Sequence, residues 1–277
     1  MFISLRKKIG IIGYGNMGSA IAERIKYKYC VYAFDKDANK LAGLSGIKIS
    51  RSNVKLASRV DVVVLAVKPQ DFEPLLKEIK DAVKDRLIIS IAAGVTTKYI
   101  ENILGAVRVI RVMPNIGAIV GEAISYICEG SFSKAKDLQL SKKLFNFIGH
   151  TFIIPEGLMN AATAVGGSGP GFWGYLFDKT PREKWDEYKK NNFIPELTSA
   201  AMSVGFDDEM ASVTAGCVTI ASISAAEALR ISPADLAKRV ASKGGTTEAG
   251  LEILQKGGSL TDAVKAAVKR AEELSRK

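Results

Sequence analysis

Short apolar runs alternate with amphipathic stretches over the first half of the chain. Lys8–Ile12 carries β-branched residues and stops at Gly13, which predicts a buried strand. Helix-forming residues follow from Ser19 to Lys28, with Ala20, Ile21 and Ile25 as apolar positions, and Cys30–Phe34 reads as a second strand. Further strands are predicted at Val60–Val67, Arg86–Ala92, Arg108–Val112 and Ile124–Cys128, with helical patterns at Phe72–Val83 and Lys98–Leu104 between several of them. Alternating buried strands and helices predict a parallel, doubly wound sheet.

The texture changes near Ile154. Helical stretches rich in Ala, Ser and Thr cover Leu158–Val165, Leu197–Val204 and Ala211–Leu229, and Ser232–Val240, Thr247–Lys256 and Ser259–Arg276 come after them. No strand pattern remains. The predicted fold class is α/β, with a sheet domain over residues 1–157 and an all-α domain over residues 158–277. So many small residues permit close helix approach, and so apolar a face predicts an oligomer interface.

The first strand runs into Gly13-Tyr14-Gly15-Asn16-Met17-Gly18, and Asp35 lies about 20 residues further on at the end of the second strand. That context marks a Rossmann dinucleotide site, the plainer reading being a Gly-rich turn with no ligand. Gly13 makes the tight turn, Gly15 lets the pyrophosphate approach the backbone, and Gly18 lets the helix pack on the strand. The helix N-terminus offers N–H donors and positive potential. Asp35 bonding the ribose hydroxyls favours NAD, whereas Lys36 pairing with a 2′-phosphate favours NADP, so both stay open. The plainer reading of Asp35 is a strand-end turn residue. Ala66-Val67-Lys68, Ala92-Ala93 and Met113-Pro114-Asn115 lie at the carboxyl ends of other strands, the edge where cofactors bind; each also serves as simple strand-to-loop punctuation.

Composition narrows the chemistry. The 277 residues include one histidine, His150, which excludes multi-histidine metal sites and makes any Ser/His/Asp triad depend on that residue; we expect it to be structural and expect no metal. Cys30, Cys128 and Cys217 form no CxxC and read as small buried hydrophobes in a reducing, cytoplasmic setting. Arg6-Lys7-Lys8 follows Met1–Leu5 directly, so no secretory segment is expected, and no apolar run approaches the roughly 20 residues of a membrane span. The 39 basic and 29 acidic residues give a net charge of +10, but the signs are interleaved. Nucleic acid and membrane are therefore not expected partners, and the excess charge suits steering of small anions.

Gly13–Gly18, Ala66-Val-Lys-Pro69, Ser90-Ile-Ala-Ala-Gly94, Arg111-Val-Met-Pro-Asn115, Gly167-Ser-Gly-Pro170 and Ser242-Lys-Gly-Gly-Thr-Thr-Glu-Ala-Gly-Leu251 occur in that order. In this the chain resembles the pyrroline-5-carboxylate reductases over nearly its whole length. The resemblance implies NAD(P)H-dependent reduction of 1-pyrroline-5-carboxylate to L-proline, the last step of proline synthesis. It also implies a helical dimerisation domain whose helices interleave with a partner's, in a homodimer that often assembles into a larger homo-oligomer. Position by position, it places Ser242, Gly245, Thr246 and Thr247 in a substrate loop, with Thr247 hydrogen-bonding the ring nitrogen. Val240 and Glu156 fall on the substrate side, and Asn53 approaches the adenosine end of the cofactor. On its own terms, a Gly-Gly-Thr-Thr helix start can bind a carboxylate or simply cap a helix, and Glu156 can be a solvated loop acid.

The chain departs from the family pattern at Lys243 (for proline), Gly166 (for serine), Asn160 and Lys238 (for aspartate). Lys243 is expected to loosen the substrate loop and add a cation beside it. Phe177–Asn192 reads as an insertion forming an extra surface helix, with Thr180-Pro181 as its start signal. An imine reductase needs neither histidine nor paired carboxylates, because an imine nitrogen is readily protonated and most of the work is orientation. A reductase of another cyclic imine, a hydroxyacid dehydrogenase and a non-catalytic nucleotide-binding relative are the competing readings.

Overall fold

The computed structural model describes residues Arg6 to Ser275. The first five residues, on which the reading of the N-terminus partly rests, lie outside them. The sheet region comprises β1 (Lys8–Ile12), α1 (Asn16–Ile25), β2 (Cys30–Phe34), β3 (Ile47–Ile49), α2 (Asn53–Arg59) and β4 (Val62–Leu65). It continues through α3 (Phe72–Ile79), β5 (Leu87–Ser90), α4 (Thr97–Leu104), β6 (Arg108–Met113), β7 (Ala123–Glu129), α5 (Ala135–Phe145) and β8 (Gly149–Ile153). Then come α6 (Met159–Ala162), α7 (Gly169–Asp178), α8 (Trp185–Tyr188), α9 (Ile194–Met202), α10 (Asp208–Leu229), α11 (Pro233–Val240), α12 (Thr246–Gln255) and α13 (Leu260–Ser275).

Among the described residues the strand order is β3-β2-β1-β4-β5-β6-β7-β8, and the pairings from β3 through β6 are parallel. β4 and β5 are buried at every position, as a parallel strand covered on both faces must be. Val63, Leu65 and Ile88 pack with Phe72, Leu76 and Ile79 of α3 and Ile100 of α4 in one apolar cluster. The chain passes from β1 to β2 and β3 on one side and then returns to β4 on the other. The carboxyl ends of β1 and β4 therefore meet at the point where strand order reverses, which is where such sheets bind ligands.

Two compact units partition the chain. One runs to Val112 and includes Ile127–Ile148; the other takes Met113–Tyr126 and everything from Gly149 onward. In the second unit, α6 and α7 are joined by a π-helical turn, Thr163–Gly167, and a second π turn, Lys189–Phe193, joins α8 to α9. The region expected to form an extra surface helix thus feeds directly into α9. Its aromatic residues are also not all at the surface: the Trp185 ring sits edge-on against Trp173 and Phe177, and Tyr188 against Phe177. Apolar rings spaced within a charged segment supply the anchor that its polar average hides.

Three further expectations are corrected. α10 is 22 residues long and contains an 18-residue stretch of mean hydropathy 1.4, enough by length and composition to cross a membrane. Its valines, isoleucines and alanines raise the hydropathy, and one side of it, including Ala211, Ala215, Val218 and Ala225, is buried in its unit. His150 is exposed on β8 rather than packed. Cys128 is buried, but Cys30 and Cys217 are only half-buried, and none of the three is in a disulfide.

Candidate functional site

The glycines of the β1–α1 turn differ in what surrounds them. Gly13 has φ +95°, and a Cβ there would lie 2.6 Å from the carbonyl oxygen of Ala66, the residue after β4. A Cβ at Gly18 would overlap the Gly13 carbonyl oxygen. At Gly15 a Cβ would meet nothing within 4 Å. The first and third glycines thus close the turn against the sheet, while the second faces open space. Gly15 is the N-cap of α1, with no side-chain cap and no acidic residue in the first turn. An uncapped, acid-free helix start beneath an open glycine fits the pyrophosphate of a dinucleotide.

Asp35 fixes this turn. Its carboxylate accepts from the Tyr14 backbone N–H at 2.7 Å and the Asp37 N–H at 2.9 Å, and pairs with Lys40 at 3.3 Å. Burial pushes its pKa up, but the two N–H donors and the Lys40 ammonium outweigh it and hold the carboxyl below its ordinary range. The cation beside Asp35 is therefore Lys40, while Lys36 pairs with Asp71 across an exposed 3.2 Å. Tyr14 points away, its hydroxyl donating to Glu23, and burial followed by that carboxylate raises its pKa. Asn16 is exposed and Met17 half-buried beside the turn.

The Asp35 bonds make a prediction about stability. A carboxyl whose folded pKa is depressed stabilises the fold above its unfolded value, near 4, and loses that contribution as pH falls through the folded value. Asp35→Asn should cost about 1.5–3 kcal/mol at pH 7, the range for hydrogen bonds to a charged group. Urea unfolding of parent and variant should show the gap narrowing as pH drops below 4; a gap independent of pH would contradict this role.

Val67 is half-buried and Lys68 exposed after β4, and Ala92 is buried with Ala93 half-buried after β5. All lie at the carboxyl edge of the first unit with the glycine turn. Asn53 opens α2, and its amide donates to Glu78 at 2.8 Å.

Met113, Pro114 and Asn115 belong to the second unit. Asn115 is 3% exposed: its Oδ1 accepts from the N–H of Gly117 (3.1 Å) and Ile124 (3.3 Å), and its Nδ2 donates to the Gly166 carbonyl (3.1 Å). That side chain holds the loop and the π turn. A Cβ at Gly166 would lie 2.5 Å from the Tyr126 ring, so the glycine found in place of serine makes room for that ring.

The Ser242–Thr247 loop is built at the head of α12. The Gly245 N–H donates to Ser242 O at 2.8 Å, Gly244 sits at φ +69°, and Gly245 is an N-cap with no side-chain cap. Glu248 accepts from the Gly244 N–H at 2.6 Å, and Arg270 of α13 donates to the Gly244 carbonyl at 2.8 Å. These two contacts pin the loop without a proline at 243; Ser242 and Lys243 are exposed. Glu248 stands at the third position of α12, within the Ser242–Leu251 motif, whereas Arg270 lies 26 residues from Gly244 and the sequence pattern does not single it out. Thr247 is 5% exposed, and its methyl fills the space above Gly171, which Val240 also borders. The Thr246 hydroxyl lies 2.9 Å from that of Ser168. Glu156 is half-buried in a 3₁₀ turn after β8, apart from this loop in sequence. Asn160 accepts from Ser275, and Lys238 pairs with Asp235. Among the described residues no three His, Cys, Asp or Glu side chains are grouped to hold a metal ion.

Residues 8–94 match the family model described as NADP oxidoreductase, coenzyme F420-dependent, and residues 191–276 match pyrroline-5-carboxylate reductase dimerisation. The pyrroline-5-carboxylate reductase of Methanosarcina acetivorans is 33% identical, the match covering 98% of this chain and 99% of that one. Among solved structures, a pyrroline-5-carboxylate reductase from Coxiella burnetii aligns with a TM-score of 0.64 at 28% identity, over 99% of this chain and 100% of that one. The Plasmodium falciparum pyrroline carboxylate reductase, solved with NADP bound, aligns with a TM-score of 0.62 at 27% identity, over 98% and 99%. With the glycine turn at one end and the Gly-Gly-Thr-Thr helix start at the other, and a relative matched from end to end, the chain belongs to the pyrroline-5-carboxylate reductase family.

Proposed function

We infer that this chain reduces 1-pyrroline-5-carboxylate to L-proline with NAD(P)H. The observation that carries the reading is the pinned, uncapped Ser242–Thr247 helix start, whose N–H groups suit a carboxylate, in a chain matched end to end by reductases of that name. The dinucleotide is held by the Gly13–Gly18 turn, with Asp35, Lys40 and Asn53 toward its adenosine side and Ala66–Lys68 and Ala92-Ala93 toward the nicotinamide. When bound, NAD(P)H would supply a hydride to the C=N carbon of an imine whose nitrogen takes its proton from solution. Gly245, Thr246 and Thr247 hold the substrate carboxylate through the backbone, Ser242, Val240 and Glu156 bound its site, and the Thr247 hydroxyl hydrogen-bonds the ring nitrogen. Residues 158–277 serve as the dimerisation and substrate domain.

The dimerisation match supports a homodimer, which further association can enlarge. So do Met202, Val213 and Ile220 on α9 and α10, 47%, 41% and 53% exposed, an apolar surface that a second copy would cover. Three cysteines outside any disulfide suit the cytoplasm.

The test is direct. Purified protein given pyrroline-5-carboxylate should oxidise NADPH or NADH, monitored by loss of absorbance, with proline as product. Comparing the two cofactors under one condition resolves the preference. A folded chain inert with both overturns the reading.

A further inference from the structure

We propose that Ser168 is a positioning residue that sets the Thr246 side chain, and through it the substrate loop, for binding of the pyrroline carboxylate. The proposal rests on the function given above.

The helix that begins with α6 and ends with α7 is interrupted by the π turn at Thr163–Gly167, where the Ser168 N–H bonds the Thr163 carbonyl five residues back at 2.9 Å. A π turn inserts one residue into the helical cycle and rotates the residues beyond it; such turns persist where something holds them, often at functional sites. This one is held from three sides. Asn115 takes up the Gly166 carbonyl, the Tyr126 ring abuts Gly166, and the Met113 Cε would lie 2.7 Å from a Cβ at Gly167. Tyr126 is itself fixed, its hydroxyl 2.8 Å from that of Thr214.

The rotated residue is Ser168, fully buried. Its hydroxyl lies 3.4 Å from the Thr163 carbonyl and 2.9 Å from the Thr246 hydroxyl, the first residue of α12. With one proton of its own, Ser168 either gives it to Thr163 and accepts from Thr246, or gives it to Thr246. Either way the threonine is held in one rotamer. The loop backbone is already pinned on its far side by Glu248 and Arg270. Ser168 supplies the fixation on the near side, so the first N–H groups of α12 are ordered before substrate arrives and less entropy is lost on binding.

The test uses the purified full-length protein in steady-state kinetics, with Ser168→Ala, Thr246→Val, Thr246→Ser and the double variant Ser168→Ala/Thr246→Val. Loss of one net hydrogen bond should raise the KM for pyrroline-5-carboxylate about tenfold in Ser168→Ala and in Thr246→Val. kcat and the KM for NAD(P)H should stay within about twofold, because a bond that orders the loop acts on substrate binding alone. The double variant should be no worse than either single one, since both remove the same bond. Thr246→Ser keeps the hydroxyl and should raise the substrate KM several-fold less than Thr246→Val does. A packing role alone would lower the thermal midpoint without this split between the two substrates. An unchanged substrate KM in Ser168→Ala, additive losses in the double variant, or an equal rise in cofactor KM overturns the proposal. If Ser168→Ala does not fold, equal substrate KM values for Thr246→Val and Thr246→Ser overturn it. A parent chain inert on pyrroline-5-carboxylate removes the functional reading and this one with it, whereas an active parent with an unaffected Ser168→Ala removes only this one.

Discussion

Gly15→Ala should fold with nearly the parent's stability yet lose on the order of 100-fold in NAD(P)H affinity, about 2.8 kcal/mol. The backbone gives no reason for glycine at this position: φ is −83° and ψ −164°, which any residue adopts, and a Cβ meets no protein atom within 4 Å. The stability cost is then at most about 1 kcal/mol, the difference between glycine and alanine as an N-cap. What the methyl occupies is the space through which a pyrophosphate would reach the helix N–H groups. Gly18→Ala should behave in the opposite order. Its Cβ overlaps the Gly13 carbonyl oxygen and lies 3.2 Å from the Ala66 Cβ, and backbone cannot yield as a flexible side chain does. That variant should lose at least about 1–3 kcal/mol of stability, the cost of overpacking, with cofactor binding falling as a consequence. Urea unfolding and a fluorescence titration with NADPH and NADH separate the two patterns. Equal loss of stability in both variants, or unchanged affinity in Gly15→Ala, would show that the turn is a structural corner and not a phosphate site.

The long apolar strands and the glycine turn were legible because burial on both faces and close backbone approach each restrict residue type locally. β1 and β2 fall at Lys8–Ile12 and Cys30–Phe34, as their patterns predict. β3 has three residues with two exposed, and β8 has no buried position, so neither carries a pattern. α2 and α5 are short or polar enough to read as connection. Contacts between distant positions were less visible still. Nothing near Asp35 marks Lys40 rather than Lys36 as its partner, and nothing near Gly244 marks Arg270, 26 residues away. The Gly167–Pro170 motif was evident as a resemblance, but the π turn that aims Ser168 depends on Asn115, Tyr126 and Met113, brought to it by the fold.

Thr247→Val should lower kcat about 100-fold, the scale of removing one donor aimed at the reacting group, and leave the thermal midpoint almost unchanged. Valine keeps the shape of threonine, and that shape is what the fold uses: Thr247 is 5% exposed and its methyl occupies the space above Gly171. Thr247→Ser makes the converse change, keeping the hydroxyl and vacating the methyl site, so its kcat should fall by less than about tenfold while its rotamer loosens. Gly171→Ala places a second methyl where the first already sits. The clash falls on a β-branched side chain, which has few rotamers in a helix, so the hydroxyl is driven out of place and stability drops by about 1–3 kcal/mol. Combining Gly171→Ala with Thr247→Ser moves the methyl from one helix to the other without changing the volume between them. The double variant should recover most of the stability and most of the kcat that Gly171→Ala alone removes. Thermal melts and steady-state kinetics on the four proteins decide it. Recovery of stability without kcat would mean that the swap restores only the volume between the helices, and that the Thr247 hydroxyl does not act on the imine.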